Sequence, residues 1–548
     1  MVGDGNTGDI NCDGQGYAVI VRSEAAHGTL RGIDTSVARG MLGVLGIWTG
    51  ADLKSAGYGP LRDLILVPNG DGAQVTTPIR YPLTIDKVRF VGDPVAVVVA
   101  ASLPEARDAA DAVRLDIEAQ PAVMEPREGA RLDAPRIFDD VPGNTCFNYY
   151  YGEFDRTVQA FDKAAHVTQL RFISRRVAAS TMKPRSVVAH CDPSSDYCTL
   201  YVGSKIGGSE HRMREPLKRC PKQTHVAADH ITELFSMRDA FRSEYASLFH
   251  ASKVLGRPIK LTEDGLGSFF HDQCGCDYDF DGELALDEDG NFLAMRQSGF
   301  INIGACLMNV ERLRRTTEAP GKLATVYRMP LIELRSRVVF TNTFPLGTYP
   351  GSDRPEPNYF MERLIDTAAR EMKIDPIELR KRNLNRPGDM PFKAASSAAY
   401  AINKFTSLLD KAAEMADICG FATRKAESAG RGKLRGLGIG NYREVTAQLQ
   451  QEKDTALDPN GTHVAEVEID PYTGSLEVVK YTMINDLGTA THIGDVLTND
   501  GEVGRTEALP AVMNAVVDAL GGTHVDVPPT PRRVLQVLNA SPPMSGLY

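Results

Sequence analysis

The chain of 548 residues is long enough for three or four domains of about 150 residues each, and its composition (42% hydrophobic, 24% charged) is typical of a globular protein. No run approaches the ~20 consecutive apolar residues of a membrane-spanning helix, and the first residues lack the basic and apolar regions of a secretory signal. The net charge of −10 argues against a general nucleic-acid-binding role.

The nine cysteines predict neither a disulfide scaffold nor a metal site, because the close pair Cys274 and Cys276 has no second pair at metal-ligand spacing. Cys146, Cys306 and Cys419 are expected to be buried as small apolar side chains. A reducing cytoplasm is the expected location, without a membrane span and without a nucleic-acid partner.

The N-terminal part of the chain predicts one compact α+β domain. Residues 1–16, rich in glycine and aspartate, predict a flexible N-terminus, and a β-β-α-β block follows over 17–130. In that block, 87–102 reads as two β-rich runs around a Gly-Asp-Pro turn, and 103–114 as a helix before a further strand. The stretch 131–155 is rich in proline, glycine and aspartate and predicts a linker.

The middle of the chain, 156–395, predicts a second domain that is rich in strands and turns. Near its end, 347–384 contains an apolar stripe at helical spacing. A further helix is predicted to begin at Asp375 and Pro376, with Glu378 at the capping-box position.

The last part of the chain, 396–548, predicts a third domain that includes a strand–turn–strand unit over 456–486. In NDGEVGRTEALPAVMNAVVDALGG (499–522), Glu502 lies in a glycine-flanked turn ahead of an apolar helix that ends at a glycine pair. The positive end of that helix favours a carboxylate. On local evidence alone, Glu502 is an ordinary acid near a helix start.

The run GTYPGSDRPEPNYFMERLIDTAAREMKIDPIELRKRNL (347–384) resembles the signature of the molybdenum-binding large subunit of the molybdenum hydroxylases. That family includes xanthine dehydrogenases, aldehyde oxidases and aerobic carbon monoxide dehydrogenases, and its motif is roughly A-Y-R-G-A-G-R-P-E. The residues that match the motif are Tyr349, Gly351, Arg354, Pro355 and Glu356. The resemblance implies an α+β fold in which an α/β hammerhead domain over 17–130 precedes two mixed α+β molybdopterin-binding domains, 156–395 and a shortened 396–548.

The resemblance also implies a site and its cofactors. Glu502 matches the glutamate that acts as general base beside the molybdenum in this family. A molybdenum–molybdopterin cofactor is implied, with the cytosine dinucleotide form as one candidate, together with FAD and 2Fe-2S clusters on partner subunits. No protein ligand to the metal is implied. The residues that match the cofactor-binding loops are Gly203, Gly207, Gly208, Tyr349, Gly351, Arg354, Gly501 and Gly504.

Several glycine-rich loops of the family are altered in this chain. Where relatives have G-G-G-F-G, this chain has Ile231, Thr232 and Glu233, although glycine lets backbone N–H groups approach a phosphate closely. Two further loop-bearing segments of the family, after residues 446 and 492, are reduced here to short bridges.

The implied activity is oxidative hydroxylation of an aldehyde or N-heterocycle-type carbon, with water as the oxygen source. Electrons would pass to a small iron–sulfur subunit and a medium FAD subunit in a dimer of heterotrimers. Gly351 stands where the carbon monoxide branch has a cysteine, which disfavours that substrate. The altered loops leave two alternatives open: a non-catalytic scaffold or partner-binding homologue, and a chain from which real loops are missing.

Overall fold

The structure is a computed structural model. It describes residues 11–60, 75–178, 185–192, 194, 197–202, 223–228, 242–263, 274–275, 277–307, 313, 316–317, 319–321, 323, 326–346, 355–385, 405–443, 460–486, 491–495 and 508–540.

Helices and strands alternate irregularly along the described residues, and this confirms the predicted α+β class. The described helices are α1 Ser36–Arg39, α2 Gly50–Ser55, α3 Leu103–Asp111, α4 Pro126–Gly129, α5 Phe154–Asp162, α6 Tyr245–Leu255, α7 Pro355–Met372, α8 Pro376–Asn383, α9 Phe405–Met415, α10 Phe421–Gly430, α11 Ala508–Ala519 and α12 Pro531–Ala540.

The described strands form five sheets. They are β1 Gly16–Arg22, β2 Gly28–Asp34, β3 Val44–Thr49, β4 Lys87–Val88, β5 Pro94–Ala100, β6 Arg114–Ala119, β7 Thr145–Tyr151, β8 His166–Ser174, β9 Val177–Ala178, β10 Ser186–Cys191, β11 Tyr197–Val202, β12 Gln223–Ala228, β13 Ile259–Thr262, β14 Cys274–Gly275, β15 Tyr278–Leu286, β16 Phe292–Gly304, β17 Ile332–Phe340, β18 Leu434–Arg443, β19 Asn460–Ile469, β20 Leu476–Asp486 and β21 Thr491–Asp495.

The largest sheet has seven strands in the order β12-β11-β10-β13-β1-β5-β3. Its strand β5 is buried at every position, which explains the uninterrupted apolar run PVAVVVA. Strand β1 pairs in parallel with β13, so this sheet joins strands from residues 16–100 with strands from 186–262. The domain boundaries inferred from sequence stay predictions, and this sheet crosses them.

Two further sheets hold the middle and the end of the chain. The five-stranded sheet has the order β7-β17-β16-β15-β8, and the four-stranded sheet the order β18-β19-β20-β21. Strand β7 lies within 131–155, the stretch predicted as a linker, and pairs with β17. Cross-strand pairing with a segment about 180 residues away in the chain is not visible in local composition.

The helix predictions around α7 and α11 are confirmed. The apolar stripe of α7 is buried, and α8 begins where Asp375 accepts hydrogen bonds from the backbone N–H groups of Ile377 (2.8 Å) and Glu378 (3.0 Å). Helix α11 ends before Gly521 and Gly522, whose positive φ angles (68° and 96°) suit glycine.

The cysteines depart from expectation in two places. Cys146 and Cys306 are buried as predicted, whereas Cys419 is exposed because it lies in a short surface turn between α9 and α10. Cys191 and Cys198 face each other across β10 and β11 and form a disulfide, a pairing that the sequence spacing did not predict.

Candidate functional site

The segment that enters the signature loop 347–354 is fixed to the five-stranded sheet. The backbone N–H of Leu346 donates to the carbonyl oxygen of Ile303 (3.0 Å), so the chain is held to the end of β16. Behind it, the buried Asn302 accepts from the hydroxyl of Thr341 (2.7 Å) and donates to the carboxylate of Asp277 (2.8 Å). The incoming end of the loop is therefore held by buried, directional contacts.

The segment that leaves the loop is α7, which is fixed by a buried carboxylate, Glu362. Its two oxygens accept from the hydroxyl of Tyr327 (2.5 Å) and from the guanidinium of Arg380 on α8 (2.9 Å). Tyr327 in turn accepts from the side-chain amide of Asn441 on β18 (2.9 Å). We call these four residues the Glu362 cluster; all are at most 3% exposed, and burial raises the pKa of Glu362.

Helix α11, which follows the segment that contains Glu502, lies directly on β18. A Cβ atom at Gly438 would stand 2.1 Å from the carbonyl oxygen of Ala511, and one at Gly436 would stand 2.0 Å from that of Ala515. Only glycine permits this approach of a helix backbone to a strand, and the alternating glycines of RGLGIG supply it.

The start of α7 and the start of α11 meet at the same end of β18. The side-chain amide of Asn358, in the first turn of α7, donates to the carbonyl oxygen of Asn441 (2.8 Å). The neighbouring Gly440 packs against Pro510, in the first turn of α11. The first turns of α7 and α11, which follow the signature loop and the Glu502 segment in the chain, therefore lie together at one end of β18.

A second buried cluster holds the chain after the altered glycine loop 229–237. Arg22 of β1 donates to Glu244 and to Glu263, both at 3.0 Å, and Arg242 donates to Glu263 at 3.1 Å. We call these four residues the Glu244 cluster. The Arg242 guanidinium also lies 5.8 Å from the ring centre of Phe344, three residues before the signature loop, so the flanks of these two loops are in contact.

Two small cavities, of about 40 and 30 Å³, border residues 79–94 of the predicted hammerhead domain. They share Arg80, Tyr81, Phe90 and Asp93, and the smaller one also reaches Phe344. Burial of the Asp93 carboxyl raises its pKa to about 6, although the backbone N–H of Arg89 donates to it at 2.9 Å. These cavities have room for water molecules beside a carboxyl group whose pKa is raised by burial.

The site residues inferred from sequence lie outside the described residues, and their roles stay predictions. They are Glu502, Gly203, Gly207, Gly208, Tyr349, Gly351, Arg354, Gly501 and Gly504. The structure brings together the flanks of two of the segments concerned, the signature loop and the Glu502 segment. Sequence reasoning missed the buried polar residues that fix those flanks. Glu362 and Asn441 resemble solvent-exposed residues of an amphipathic helix or strand, yet both are buried.

Within the described residues, no group of three or more histidine, cysteine, aspartate or glutamate side chains is arranged to hold a metal ion. Among the helices that the structure describes, none combines the length and apolar character needed to cross a lipid bilayer.

Three family models match the chain. A model described as aldehyde oxidase and xanthine dehydrogenase, a/b hammerhead domain, matches residues 6–121. Two models described as molybdopterin cofactor-binding domain match residues 137–384 and 359–494.

Individual relatives agree with these matches. The chain is 30% identical over 458 residues to the nicotine 6-hydroxylase large subunit of Paenarthrobacter nicotinovorans, which covers 80% of this chain and 53% of that protein. It is 28% identical over 516 residues to the carbon monoxide dehydrogenase large chain of Afipia carboxidovorans, covering 90% of this chain and 62% of that protein. The chain thus spans about half the length of the curated relatives it matches.

Among solved structures, quinoline 2-oxidoreductase from Pseudomonas putida 86 superposes with a TM-score of 0.84 at 21% identity, over 98% of this chain and 96% of that chain. A carbon monoxide dehydrogenase from Oligotropha carboxidovorans gives a TM-score of 0.83 at 18% identity, over 97% and 94% of the two chains. These likenesses show a shared fold.

Proposed function

Since the chain belongs to the family of molybdenum hydroxylase large subunits, we propose that it is the catalytic subunit of an enzyme that hydroxylates an aldehyde or N-heterocycle-type carbon with oxygen from water. The proposal rests on one structural observation above all. The flanks of the altered glycine loop, the signature loop and the Glu502 segment are in contact through Arg242 and Phe344, and through Asn358, Asn441 and Pro510.

The described residues fit an anionic pterin cofactor in one respect. Helices α7 and α11, of 18 and 12 residues, both begin at the same end of β18. Two helix N-termini therefore adjoin the signature loop and the Glu502 segment. Helix N-termini favour phosphate and other anions. The presence of Ile231, Thr232 and Glu233 where relatives have glycines acts against that fit. The cofactor content of the purified protein decides which of the two effects is larger.

A bound molybdenum–molybdopterin group supplies the two-electron oxidation of the carbon that is hydroxylated. Among this chain's residues, Glu502 is proposed as the general base, which accepts a proton as oxygen from water is transferred. Tyr349 and Arg354 are proposed to shape the pocket and contact anionic groups, with Gly203, Gly207, Gly208, Gly351, Gly501 and Gly504 giving backbone access to the cofactor.

Partners follow from the same proposal. The matched relatives carry names such as large subunit, large chain and complex subunit gamma, and so belong to multi-subunit assemblies. We propose a small iron–sulfur subunit and a medium FAD subunit as electron acceptors, a dimer of heterotrimers, and a cytoplasmic location. Gly351 in place of a cysteine argues against carbon monoxide as the substrate.

The test is elemental analysis of the chain purified from a host that makes the cofactor. Near one molybdenum per chain is expected, and iron in the same sample would report co-purified partners. A folded protein without molybdenum would overturn the enzymatic proposal and favour a scaffold role.

Glu502→Gln is expected to lower kcat by about 100-fold or more with molybdenum content unchanged, because a general base contributes on the order of 10²–10⁴ to rate. Glu507→Gln, five residues later in the same segment, is the matched control and should retain turnover. Parental turnover in the Glu502 variant as well as in the control would show that Glu502 is not the general base.

A further inference from the structure

The contact between α11 and β18 repeats itself along its length. Gly440, Gly438 and Gly436 meet Ala511, Ala515 and Ala519 in turn, each glycine lying against the helix backbone. Alternate strand residues are roughly 6.6 Å apart, and every fourth helix residue advances by roughly 6 Å. The two spacings nearly coincide, so shape alone leaves more than one register available to the helix.

Apolar packing does not remove this ambiguity. The rest of the buried face of α11 consists of residues such as Met513, Val516 and Val517, all at most 1% exposed. Burial of such side chains is favourable without being directional, so a slide by one repeat keeps most of the apolar area covered.

Asn514 makes the directional contacts that distinguish one register of α11 from another. It is fully buried in the second turn of α11, and its amide group donates to the carbonyl oxygen of Ile439 on β18 (2.8 Å). Its amide oxygen accepts from the buried guanidinium of Arg363 on α7 (2.6 Å). A displaced helix would leave these polar groups unpaired in the apolar interior, and a buried unpaired group is strongly disfavoured.

A second polar contact of α11 lies at its other end. The carboxylate of Asp518 accepts from the backbone N–H of Leu437 (3.1 Å) and from the ammonium of Lys425 (3.2 Å). Its side chain is 27% exposed, so water replaces these partners at small cost. Asp518 is therefore a matched comparison on the same helix.

We propose that Asn514 is a positioning residue: it fixes the register of α11 on β18 and on α7, and so the position of the segment that carries Glu502. Buried asparagines act in this way in coiled coils, where one polar residue selects a register among similar apolar packings. This inference rests on the proposed function only where it concerns Glu502; the register itself is a property of the fold.

The test measures register and turnover separately in the full chain. Spin labels are attached to non-canonical amino acids at the exposed positions Glu427 and Thr523, because native cysteines such as the exposed Cys419 would also react with thiol labels. In Asn514→Leu, we expect a second label–label distance from a population displaced by about 6 Å, one repeat of the contact. Asp518→Ala is expected to keep the single distance of the parent.

In a molybdenum-loaded preparation, Asn514→Leu is expected to lower kcat by about 100-fold, with KM and molybdenum content unchanged, because a misplaced catalytic group slows chemistry without weakening binding. Asn514→Asp keeps the side-chain size and a partner for Arg363 but removes the donated bonds. It provides the same comparison if the leucine variant fails to fold.

An unchanged single distance in both Asn514 variants would overturn the register role. A displaced helix with unchanged kcat would overturn the link to Glu502. If the parent protein contains no molybdenum, the proposed function fails, while the label distances still decide whether Asn514 sets the register.

Discussion

The Glu362 cluster and the Glu244 cluster both fix the flanks of loops, but they balance buried charge differently. Within the part of the chain that the structure describes, Glu362 has one guanidinium partner, Arg380. Its other donors are neutral, the hydroxyl of Tyr327 and the backbone N–H of Asn441, so burial raises its pKa. Burial of Glu244 would also raise its pKa, yet the guanidinium groups of Arg22 and Arg242 lower it to about 2. The Glu362 cluster contains one cation, Arg380. In the Glu244 cluster, Arg22 and Arg242 each contact both carboxylates.

The largest effect is expected from breaking the single ion pair. Arg380→Met leaves Glu362 buried without a cation, and removing one partner of a buried pair costs about 3–5 kcal/mol of unfolding free energy. Denaturant unfolding at neutral pH measures it. Arg22→Met is the comparison: Glu244 keeps Arg242 within 3.6 Å, so the loss should be clearly smaller. Equal losses in the two variants would contradict the distinction between the clusters.

A smaller effect is expected from the backbone contact that adjoins the Glu362 cluster. Gly438→Ala places a Cβ atom 2.1 Å from the carbonyl oxygen of Ala511 and must push α11 away, at a cost of about 1–3 kcal/mol. Gly430→Ala is the control, because a Cβ atom there meets nothing within 4 Å. The difference in urea midpoint between the two variants is the measurement, and a difference near zero would contradict the close approach.

The most gradual effect is a pH dependence of the unfolding free energy beside the Glu244 cluster. The folded-state pKa of Asp93, about 6, is higher than its ordinary value of 3.8, so the folded protein holds the proton more tightly than the unfolded chain. Stability is therefore lost as pH rises from about 4 to about 6, with a slope of at most about 1.4 kcal/mol per pH unit. Asp93→Asn should remove this slope.

The control for that prediction is Asp86→Asn, which lines the same cavity but has an exposed carboxylate. The slope of the urea midpoint between pH 4 and 6 should be smaller than the parental slope in the Asp93 variant and unchanged in the Asp86 variant. The pH dependence that Glu244 contributes has the opposite sign, because its pKa is lower in the folded protein than in the unfolded chain. Its ionised carboxylate stabilises the fold above pH 4.5, and that stability is lost as pH falls towards about 2.

Much of the fold was predictable because its signals are local. The stripe of α7, the cap of α8 at Asp375 and the glycine stop of α11 each depend on residues within a few positions of one another. The signature in 347–384 predicted the family, which the three family models confirm. The position of β7 inside a composition typical of a linker was not predictable, since its partner strand β17 is distant in the chain.

The sequence by itself determined many of the elements and the family, because periodicity, capping and motif spacing act over short stretches of chain. The segments that carry the candidate site stay predictions. Only the tertiary structure decided how those segments are held. Asn514 meets Arg363 across 151 residues, and Asn441 meets Tyr327 across 114. In a sequence such residues resemble solvated polar side chains; in the folded chain they are buried, and a buried polar group is tolerated where directional partners from distant segments satisfy it.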